Sequence, residues 1–330
     1  MAGTVAALDD LPFNPAQWDV LEGAVAPGRL LRVPSGRLDA LDAALGEAEV
    51  LVLPGDLDER HLRAPGLRWI HCDHAGLTRS ARPEVFARRL IVTGSAGRSA
   101  PALAEHALMF LLALNADLMG FHEAQRRRQW RGVPGAERLR ALHGRTLGIL
   151  GMGHTGQALA PRAAALGMTV LGYRRRDLPP PPGVDRMFSG DKGETITPIL
   201  ETADAIVLAL NLSDATHHLI GAAEIARMKP GVLLVNMARG GVMDEAALLE
   251  ALRSGHVAGA GLDVFEQEPL PPGSPLWDAP RVLITPHFTP PVADRAGRSL
   301  GIIVENLRRY RAGEELLNRI TPEDVWTRAT

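Results

Sequence analysis

Short apolar runs alternate with amphipathic segments along the first hundred residues of the chain. The runs at 49–53, 67–72 and 90–93 are each followed by a loop that contains glycine or proline. Runs of this length, bounded by such residues, predict β-strands, and the helical segments between them favour a parallel α/β sheet. A mostly apolar stretch then extends from Pro101 to about Arg128, and we predict one continuous helical run there because proline suits a first helical turn.

A second and clearer alternation of strands and helices begins near Thr146. Its predicted strands lie, in chain order, at 146–150, 168–173, 205–210, 232–236, 257–262 and 282–285. Helical segments such as 244–254 separate them, which is the rhythm of a doubly wound sheet. The residues from about Pro290 onward are mostly helical and too few for a further domain, so we expect them to fold back onto the first α/β region. The pattern thus predicts two doubly wound parallel-sheet domains, the first of them discontinuous.

The segment GMGHTG at 151–156 follows a predicted strand and opens an amphipathic helix, as a dinucleotide-binding loop requires. Gly151 would permit the tight turn, Gly153 would let a pyrophosphate approach the backbone, and Gly156 would let the helix pack closely on the strand. The N–H groups at the helix N-terminus would then bind the phosphates. A glycine-rich turn without a ligand is the alternative that the pattern leaves open.

The end of the next strand bears on the choice between the two nicotinamide cofactors. An NAD site usually places Asp or Glu there, about 20 residues after the loop, to bind the ribose hydroxyls. This chain instead has Arg174, Arg175 and Arg176, and its first acid is Asp177. Because a guanidinium can bind a 2′-phosphate through two hydrogen bonds, we expect NADP(H) to be preferred, with NAD(H) as the alternative donor. Arginines that only decorate an exposed turn are the competing interpretation.

Composition and charge argue against several classes of partner. The formal net charge is −2, so no global basic field would attract nucleic acid or an anionic membrane, and no apolar run reaches the ~20 residues needed to cross a bilayer. The single cysteine, Cys72, cannot form an internal disulfide, and residues 1–10 lack the pattern of a signal peptide, so we expect a cytoplasmic protein. His71 and His74 flank Asp73, but no cluster of thiolates or carboxylates accompanies them, so we predict no metal site.

Three polar side chains follow the ends of predicted strands in the second region. Arg239 lies in the segment NMARGG, Glu268 in DVFEQEP and His287 in TPH. Ligands of open α/β sheets bind just outside the carboxyl ends of the strands, so parallel strands would bring these three side chains to one edge. Taken singly, each could instead be an ordinary loop residue.

The order and spacing of these segments resemble the D-isomer-specific 2-hydroxyacid dehydrogenase family. The glycine loop and the NxxRGG, GLDVFxxEP and TPH segments occur in the family's order, and 67–76 and 104–106 resemble family segments of the first domain. The resemblance therefore covers nearly the whole chain. It implies a Rossmann cofactor domain at 101–289, inserted in a flavodoxin-like substrate domain at 1–100 plus 290–330, with a cleft between them.

The resemblance also implies roles for individual residues. His287 would be the general acid during reduction, Glu268 would orient it and stabilise its protonated form, and Arg239 would bind the substrate carboxylate and keto oxygen. Further implied contacts are Ala75 and Gly76 for the substrate carboxylate, His154 and Thr155 for the pyrophosphate, and Ala238 and Asp263 for the nicotinamide pocket. Residues 288–291 depart from the family, many of whose members have a pair of small residues after the histidine.

The arginine cluster after the second strand is most similar to the NADPH-dependent glyoxylate/hydroxypyruvate reductase branch. The sequence therefore predicts an oxidoreductase that transfers a hydride from NADPH to a small 2-keto acid to give the D-2-hydroxy acid, and we expect a homodimer. A nucleotide-sensing, corepressor-like binding protein on the same scaffold is the alternative. The presence of all three catalytic positions favours the enzyme.

Overall fold

The computed structural model describes residues 3–130 and 139–328, and the chain forms two compact α/β units. Internal contacts assign Met1–Ser99 with Pro291–Ala329 to the first unit and Ala100–Pro290 to the second. The strands of the described residues are β1 (Thr4–Leu8), β2 (Arg29–Val33), β3 (Val50–Leu53), β4 (Trp69–Cys72), β5 (Ile91–Gly94), β6 (Thr146–Leu150), β7 (Thr169–Arg174), β8 (Arg186–Ser189), β9 (Ala205–Leu208), β10 (Val232–Asn236), β11 (Val257–Leu262) and β12 (Val282–Ile284). The α-helices are α1 (Pro15–Val25), α2 (Leu38–Glu47), α3 (Glu59–Arg63), α4 (Pro83–Ala87), α5 (Ala100–Asn115), α6 (Leu118–Arg126), α7 (His154–Ala165), α8 (Thr197–Thr202), α9 (Ala222–Arg227), α10 (Glu245–Ser254) and α11 (Arg295–Ala312).

A five-stranded parallel sheet in the order β2-β1-β3-β4-β5 forms the centre of the first unit. This is the strand order of flavodoxin-like folds. All of β3 is buried, with Leu51 and Leu53 in the core on one face of the sheet and Val50 and Val52 in the core on the other. A strand covered on both faces needs an uninterrupted apolar run, which is what this segment provides.

The long helix α11 covers one face of the first unit's sheet together with α1. Ile303 and Leu307 of α11 share a core cluster with Trp18 and Leu21 of α1. The Tyr310 hydroxyl donates a hydrogen bond of 2.7 Å to the Glu49 carboxylate, which follows α2. The chain therefore returns after the second unit to complete the core of the first.

A seven-stranded parallel sheet in the order β12-β11-β10-β9-β6-β7-β8 forms the centre of the second unit. Counted from β6, this is the 3-2-1-4-5-6 order of dinucleotide-binding sheets, extended by one strand. The last residues of five of its strands are aligned through the register pairs Leu150–Leu208, Leu208–Asn236, Asn236–Leu262 and Leu262–Ile284. The loops that follow these strands therefore emerge along one edge of the sheet. The predicted fold class, two parallel-sheet α/β domains, is confirmed.

The continuous helical run predicted from Pro101 to Arg128 is wrong, because the segment is divided into α5 and α6 with a bend of 60°. Asp117, between the two helices, has a φ of +49°, and its carboxylate pairs with Arg281 at 2.8 Å. A residue in the left-handed region cannot continue a right-handed helix, so α5 ends before it. Among the described residues no single helix has the length and hydropathy of a membrane span, and α5 with α6 meets those criteria only as a bent pair.

Candidate active site

The glycine loop connects the end of β6 to the start of α7, and two of its glycines are required by close backbone contacts. Gly151 has a φ of +105°, and a Cβ there would lie 2.4 Å from the carbonyl oxygen of Ala209. A Cβ on Gly156 would lie 2.4 Å from the carbonyl oxygen of Gly151. A larger residue at 151 would displace the segment after β9, and one at 156 would displace the helix from the glycine loop.

Gly153 differs from its neighbours because no protein atom lies within 4 Å of where its Cβ would be. It is exposed at the N-cap of the 12-residue helix α7 and makes no side-chain capping bond. His154 and Thr155 begin the first turn of that helix. The missing side chain leaves open the space before a helix N-terminus, where backbone N–H groups and the helix dipole favour an anion. The loop therefore fits the pyrophosphate of a dinucleotide.

The arginines at the end of β7 lie in different environments. The Arg174 guanidinium donates hydrogen bonds to the carbonyls of the following loop, 178–179. Arg175 is exposed, and its backbone carbonyl accepts a bond of 2.8 Å from the next loop. Asp177, the first acid after the strand, pairs with Lys192 at 2.8 Å. Arg174 therefore braces the loop, and Arg175 carries an exposed positive charge beside it.

A tight loop after β10 carries Arg239. The side chain of Asn236 shapes this loop by accepting from the N–H of Ala238 at 3.0 Å and donating to the carbonyl of Arg239 at 3.1 Å. A Cβ on Gly240 would lie 1.8 Å from the carbonyl carbon of Phe265, so only glycine lets this loop lie against the loop after β11. The Arg239 guanidinium, half-buried, donates to the carbonyl of Ala238 at 2.7 Å.

The loops after β11 and β12 meet through a hydrogen bond of 2.7 Å between Glu268 Oε2 and His287 Nδ1. The other oxygen of Glu268 accepts from the backbone N–H of Phe265 at 2.9 Å, which fixes the carboxylate. Because a carboxylate can only accept, the imidazole carries a proton on Nδ1. Among the described residues none hydrogen-bonds His287 Nε2, and the side chain is 44% exposed. Nε2 is therefore the nitrogen that can exchange a proton with a ligand.

The charge of Glu268 follows from its surroundings. Partial burial raises the pKa of Glu268, but the hydrogen bonds from His287 and Phe265 and the positive charge of Arg239 outweigh it, so this pKa lies below its ordinary value. Glu268 is therefore a carboxylate at neutral pH. Glu268 contacts His287, and the loop that carries Arg239 lies against the loop that carries Glu268 where Gly240 meets Phe265, so the three predicted catalytic residues lie on adjoining loops.

The backbone at His287 is strained, with a φ of +51°. For a residue other than glycine this conformation costs about 1–2 kcal/mol, and such strain concentrates at functional sites. Two hydrogen bonds hold it: the N–H of His287 donates to the carbonyl of Thr285 at 3.0 Å, and the N–H of Phe288 donates to Asp263 Oδ1 at 3.0 Å. Asp263 is only 2% exposed, and it thus contributes to this site through the backbone as well as lying at a strand end.

His106, on α5, is part of this arrangement, although the sequence pattern indicated no chemical role for it. It is 6% exposed, and its Nε2 lies 3.1 Å from the hydroxyl of Thr285, which in turn contacts Asp263. The signals available in the sequence were a histidine within a largely apolar helical segment and the resemblance of 104–106 to a family segment, which belongs to the second unit and not, as predicted, to the first. Such a residue is most often a satisfied core histidine, and only the contact with Thr285 distinguishes it.

In the first unit, the loop after β4 carries Ala75 and Gly76. Among the described residues no carbonyl accepts the N–H groups of these two residues. Asp73, just before them, is 2% exposed and is held by Arg98 at 2.7 Å and by Ser95 at 2.5 Å. Successive amides on a firmly anchored loop fit an anion such as a carboxylate.

The neighbouring His71 and Cys72 are core residues of the first unit. The two ring nitrogens of His71 contact the hydroxyls of Thr93 and Ser95 at 2.9 and 3.0 Å, and burial lowers the pKa of His71 to about 4. Burial also raises the pKa of Cys72 to about 12, so its thiol is not activated. No group of three or more metal-ligating side chains occurs within 3–130 and 139–328.

Comparisons with known proteins bear on the whole chain. The family model for D-isomer specific 2-hydroxyacid dehydrogenases, NAD binding domain, matches residues 108–289. A glyoxylate reductase from Korarchaeum cryptofilum is 34% identical over 270 residues, which is 80% of this chain and 79% of that protein. The solved structure of a D-isomer specific 2-hydroxyacid dehydrogenase from Xanthobacter autotrophicus Py2, in complex with NADPH and MES, is similar with a TM-score of 0.80 and 31% identity, over 98% of this chain and 99% of that one. An NADPH-dependent glyoxylate/hydroxypyruvate reductase from Sinorhizobium meliloti, in complex with NADP and sulfate, has a TM-score of 0.77 and 25% identity, over 97% and 98% of the two chains.

The matched segment is more than half of the chain and contains the glycine loop, Arg239, Glu268 and His287. The resemblance seen in the sequence is therefore confirmed, and with it an NAD(P)-dependent oxidoreductase. The chain belongs to the D-isomer specific 2-hydroxyacid dehydrogenase family.

Proposed function

We propose that this protein reduces a small 2-keto acid to the D-2-hydroxy acid, with NADPH as the preferred hydride donor. The observation that carries the proposal is the 2.7 Å hydrogen bond between Glu268 and His287, within electrostatic reach of Arg239. The strand ends that precede these residues are aligned with the strand end that precedes the glycine loop. When bound, the cofactor supplies a hydride to the keto carbon.

His287 supplies the proton that the keto oxygen needs as it gains negative charge. Because Glu268 holds Nδ1, the proton leaves from Nε2, and the carboxylate stabilises the ring while both nitrogens are protonated. After the transfer, Nδ1 keeps its proton and the ring is neutral. In the oxidation direction the same Nε2 accepts the proton of the 2-hydroxyl group.

Arg239 binds the substrate through its planar guanidinium, which can donate to a carboxylate oxygen and to the keto oxygen together. In the first unit, the N–H groups of Ala75 and Gly76 are assigned to a carboxylate, because no carbonyl of the described residues accepts them. Both groups act on the features that define a 2-keto acid, a carboxylate next to a carbonyl. These groups therefore select 2-keto acids as a class, and other residues select the side chain of the substrate.

The cofactor is held by the second unit. Its pyrophosphate would be held by the loop residues Gly151, Gly153, His154, Thr155 and Gly156, and Ala238 and Asp263 would line the nicotinamide pocket. Within the described residues, the hydrogen bonds to the Asp263 carboxylate fall on Oδ1. We therefore assign Oδ2 to the amide group of the nicotinamide, which needs an acceptor.

The NADPH preference rests mainly on Arg175, since the guanidinium of Arg174 already binds loop carbonyls. We expect Arg175→Gln to raise KM for NADPH by about 10–100-fold, because a hydrogen bond to a charged group contributes ~1.5–3 kcal/mol. KM for NADH should change by less than about threefold, since NADH has no 2′-phosphate. Initial rates with each donor at saturating keto acid measure both effects.

Arg186→Gln is the matched control, because it makes the same charge change on the adjacent strand β8. Arg186 lies with its guanidinium 4.5 Å from the ring centre of Phe188, and it pairs in register with Leu171 rather than with the end of β7. The Arg186→Gln variant should therefore have the same KM for NADPH and for NADH as the unmodified enzyme. An unmodified enzyme that prefers NADH, or an Arg175 variant that weakens both donors equally, would contradict the assignment.

We also propose that the chain forms a homodimer through α5, α6 and Trp130. The exposed large apolar side chains of this region are Met109, Leu112, Leu118, Met119, Phe121 and Trp130. An exposed apolar patch of this kind marks an interaction surface more often than a free one. Sedimentation equilibrium at micromolar concentration should give twice the 35.4 kDa chain mass, and a single-chain mass would rule the dimer out.

The proposed reaction is tested by following the oxidation of NADPH and NADH with glyoxylate, hydroxypyruvate and phenylpyruvate. We expect turnover with at least one of the two small keto acids and a higher kcat/KM with NADPH. Chiral analysis of the product should give the D-isomer where the product is chiral. If no keto acid in a broad panel were reduced with either donor, the proposal would fail and a nucleotide-binding protein on this scaffold would be favoured.

A further inference from the structure

We infer that His106 is a positioning residue: it donates a hydrogen bond to Thr285 and thereby orients the carboxylate of Asp263 and secures the backbone that carries His287. The inference rests on the proposed function, in which His106 has no assigned role. The contacts are continuous within the second unit, from His106 Nε2 to the Thr285 hydroxyl at 3.1 Å and from that hydroxyl to Asp263 Oδ1 at 2.5 Å. Asp263 Oδ1 also accepts the backbone N–H of Phe288, the residue after His287, at 3.0 Å.

The direction of these hydrogen bonds follows from the number of protons available. The Thr285 hydroxyl has one hydrogen, and it donates that hydrogen to the carboxylate of Asp263, which has none. Its oxygen can therefore only accept from His106, so the imidazole carries its hydrogen on Nε2. The other nitrogen, Nδ1, is buried and has no partner among the described residues. A proton there would be a buried donor without an acceptor, so the arrangement selects the neutral ring protonated on Nε2.

The packing of α5 on the sheet explains how His106 reaches this place. A Cβ on Gly261 of β11 would lie 2.4 Å from Cγ of Phe110, and a Cβ on Gly259 would lie 3.1 Å from Cδ2 of Leu114. Phe110 and Leu114 follow His106 by four and eight residues, so all three share one face of the helix. The two glycines let that face approach the sheet closely, and the His106 ring packs against Phe110 with 4.8 Å between ring centres.

This contact matters for catalysis because it acts on two groups of the proposed site at once, the carboxylate of Asp263 and the backbone that carries His287. Asp263 is the residue assigned to the nicotinamide amide, and its orientation depends on a hydroxyl that His106 holds in place. The same carboxylate anchors the peptide after His287, whose φ of +51° is a strained conformation that relaxes unless it is held. Loss of the His106 donor should therefore weaken nicotinamide binding and displace the proton donor, without affecting the phosphate end of the cofactor.

The experiment compares His106→Leu, which removes the donor, with His106→Gln, whose side-chain amide can donate in place of Nε2. Titration calorimetry measures Kd for NADPH, or for NADH if the unmodified enzyme prefers it, and for the matching ADP-ribose fragment, which lacks only the nicotinamide. We expect His106→Leu to raise Kd for the whole cofactor and to lower kcat, each by about tenfold, while Kd for the fragment stays unchanged. His106→Gln should restore both values to within about threefold of the unmodified enzyme.

Thr285→Val and Thr285→Ser give a second matched pair, and they carry the test if the His106 variants do not fold. Valine keeps the shape of threonine without the hydroxyl, and serine keeps the hydroxyl. We expect Thr285→Val to raise Kd for the whole cofactor and to lower kcat as His106→Leu does, and Thr285→Ser to keep both values near those of the unmodified enzyme. The double variant His106→Leu/Thr285→Val should have the same Kd and kcat as Thr285→Val alone. The inference would be overturned if the effects of His106→Leu and Thr285→Val were additive in the double variant. It would also be overturned if the ADP-ribose fragment lost affinity as much as the whole cofactor, or if neither single variant changed Kd or kcat.

A measurement on the unmodified protein separates this inference from the proposed function. Imidazole ¹⁵N spectra distinguish a ring protonated on Nε2 from one protonated on Nδ1, and they need neither cofactor nor turnover. A protonated Nε2 on His106 is the expected result, and a proton on Nδ1 would refute the direction of the hydrogen bond on which the inference depends. If the unmodified protein bound neither cofactor, the proposed function would fail whatever the tautomer.

Discussion

Replacing His287 with Ala is expected to lower kcat for keto-acid reduction by about 10²–10⁴-fold, which is the usual contribution of a positioned general acid. The imidazole is the group whose Nε2 can deliver a proton, because Glu268 occupies Nδ1. The loop proposed to hold the cofactor's phosphates is a different one, so Kd for NADPH should change by less than about threefold. Steady-state rates and equilibrium titration of the same preparation separate the two effects, and a large increase in Kd with kcat unchanged would contradict the assignment.

Glu268→Gln is the companion variant, because it keeps the size of the side chain and removes the charge. Burial raises the pKa of Glu268, but the hydrogen bonds from His287 and Phe265 and the charge of Arg239 lower it by more, so the pKa lies below its ordinary value. The side chain therefore keeps its charge at a pH at which an ordinary glutamate would be protonated. Its support of the protonated imidazole is thus present at neutral pH and is lost only in strong acid. Without that charge, the alkaline limit of the kcat/KM profile for reduction should move to lower pH by about one unit. A profile that did not move would mean that Glu268 only orients the ring.

The central strands of the second unit could be predicted from the sequence because they are covered on both faces. Such strands read as continuous apolar runs, and the glycine loop at 151–156 marks the point at which the sheet begins. The strands that the pattern did not reveal are β1, β2 and β8. The edge strands β2 and β8 are partly exposed and contain arginine, and the central strand β1 has two alanines, which favour helices.

The residues that form the candidate site were easier to predict than their surroundings. Arg239, Glu268 and His287 each follow a strand end, and parallel strands must bring such positions to one edge. The environment of Arg174 was not predictable, because its hydrogen bonds depend on the conformation of the loop that follows. His106 could not be assigned for a similar reason: its contact with Thr285 joins residues 179 positions apart.

Replacing Arg239 with Lys is expected to lower kcat/KM for the keto acid by about 10²–10³-fold, although the positive charge is kept. A guanidinium offers two parallel donors to a planar group, whereas an ammonium is a point charge on a flexible chain. Each hydrogen bond to a charged group contributes ~1.5–3 kcal/mol, and about 1.4 kcal/mol corresponds to a factor of ten. The loss should be mainly in KM for the keto acid, with Kd for NADPH changed by less than about threefold, since the residues assigned to the phosphates belong to the loop after β6 and Arg239 to the loop after β10.

A pair of substrates distinguishes carboxylate binding from a general effect on the site. The unmodified enzyme should prefer a 2-keto acid over the corresponding 2-keto amide, which keeps the carbonyl and the shape but not the charge. In Arg239→Met, which removes the charge at similar length, this preference should fall by at least about tenfold, because the amide keeps the keto oxygen but has no carboxylate charge for the arginine to bind. The backbone of the loop offers a reason to expect an intact fold: it is shaped by Asn236 and by the close approach of Gly240 to Phe265, and neither contact involves the guanidinium. If the acid and the amide lost activity in equal proportion, Arg239 would be acting on the keto oxygen or through Glu268 rather than on the substrate carboxylate.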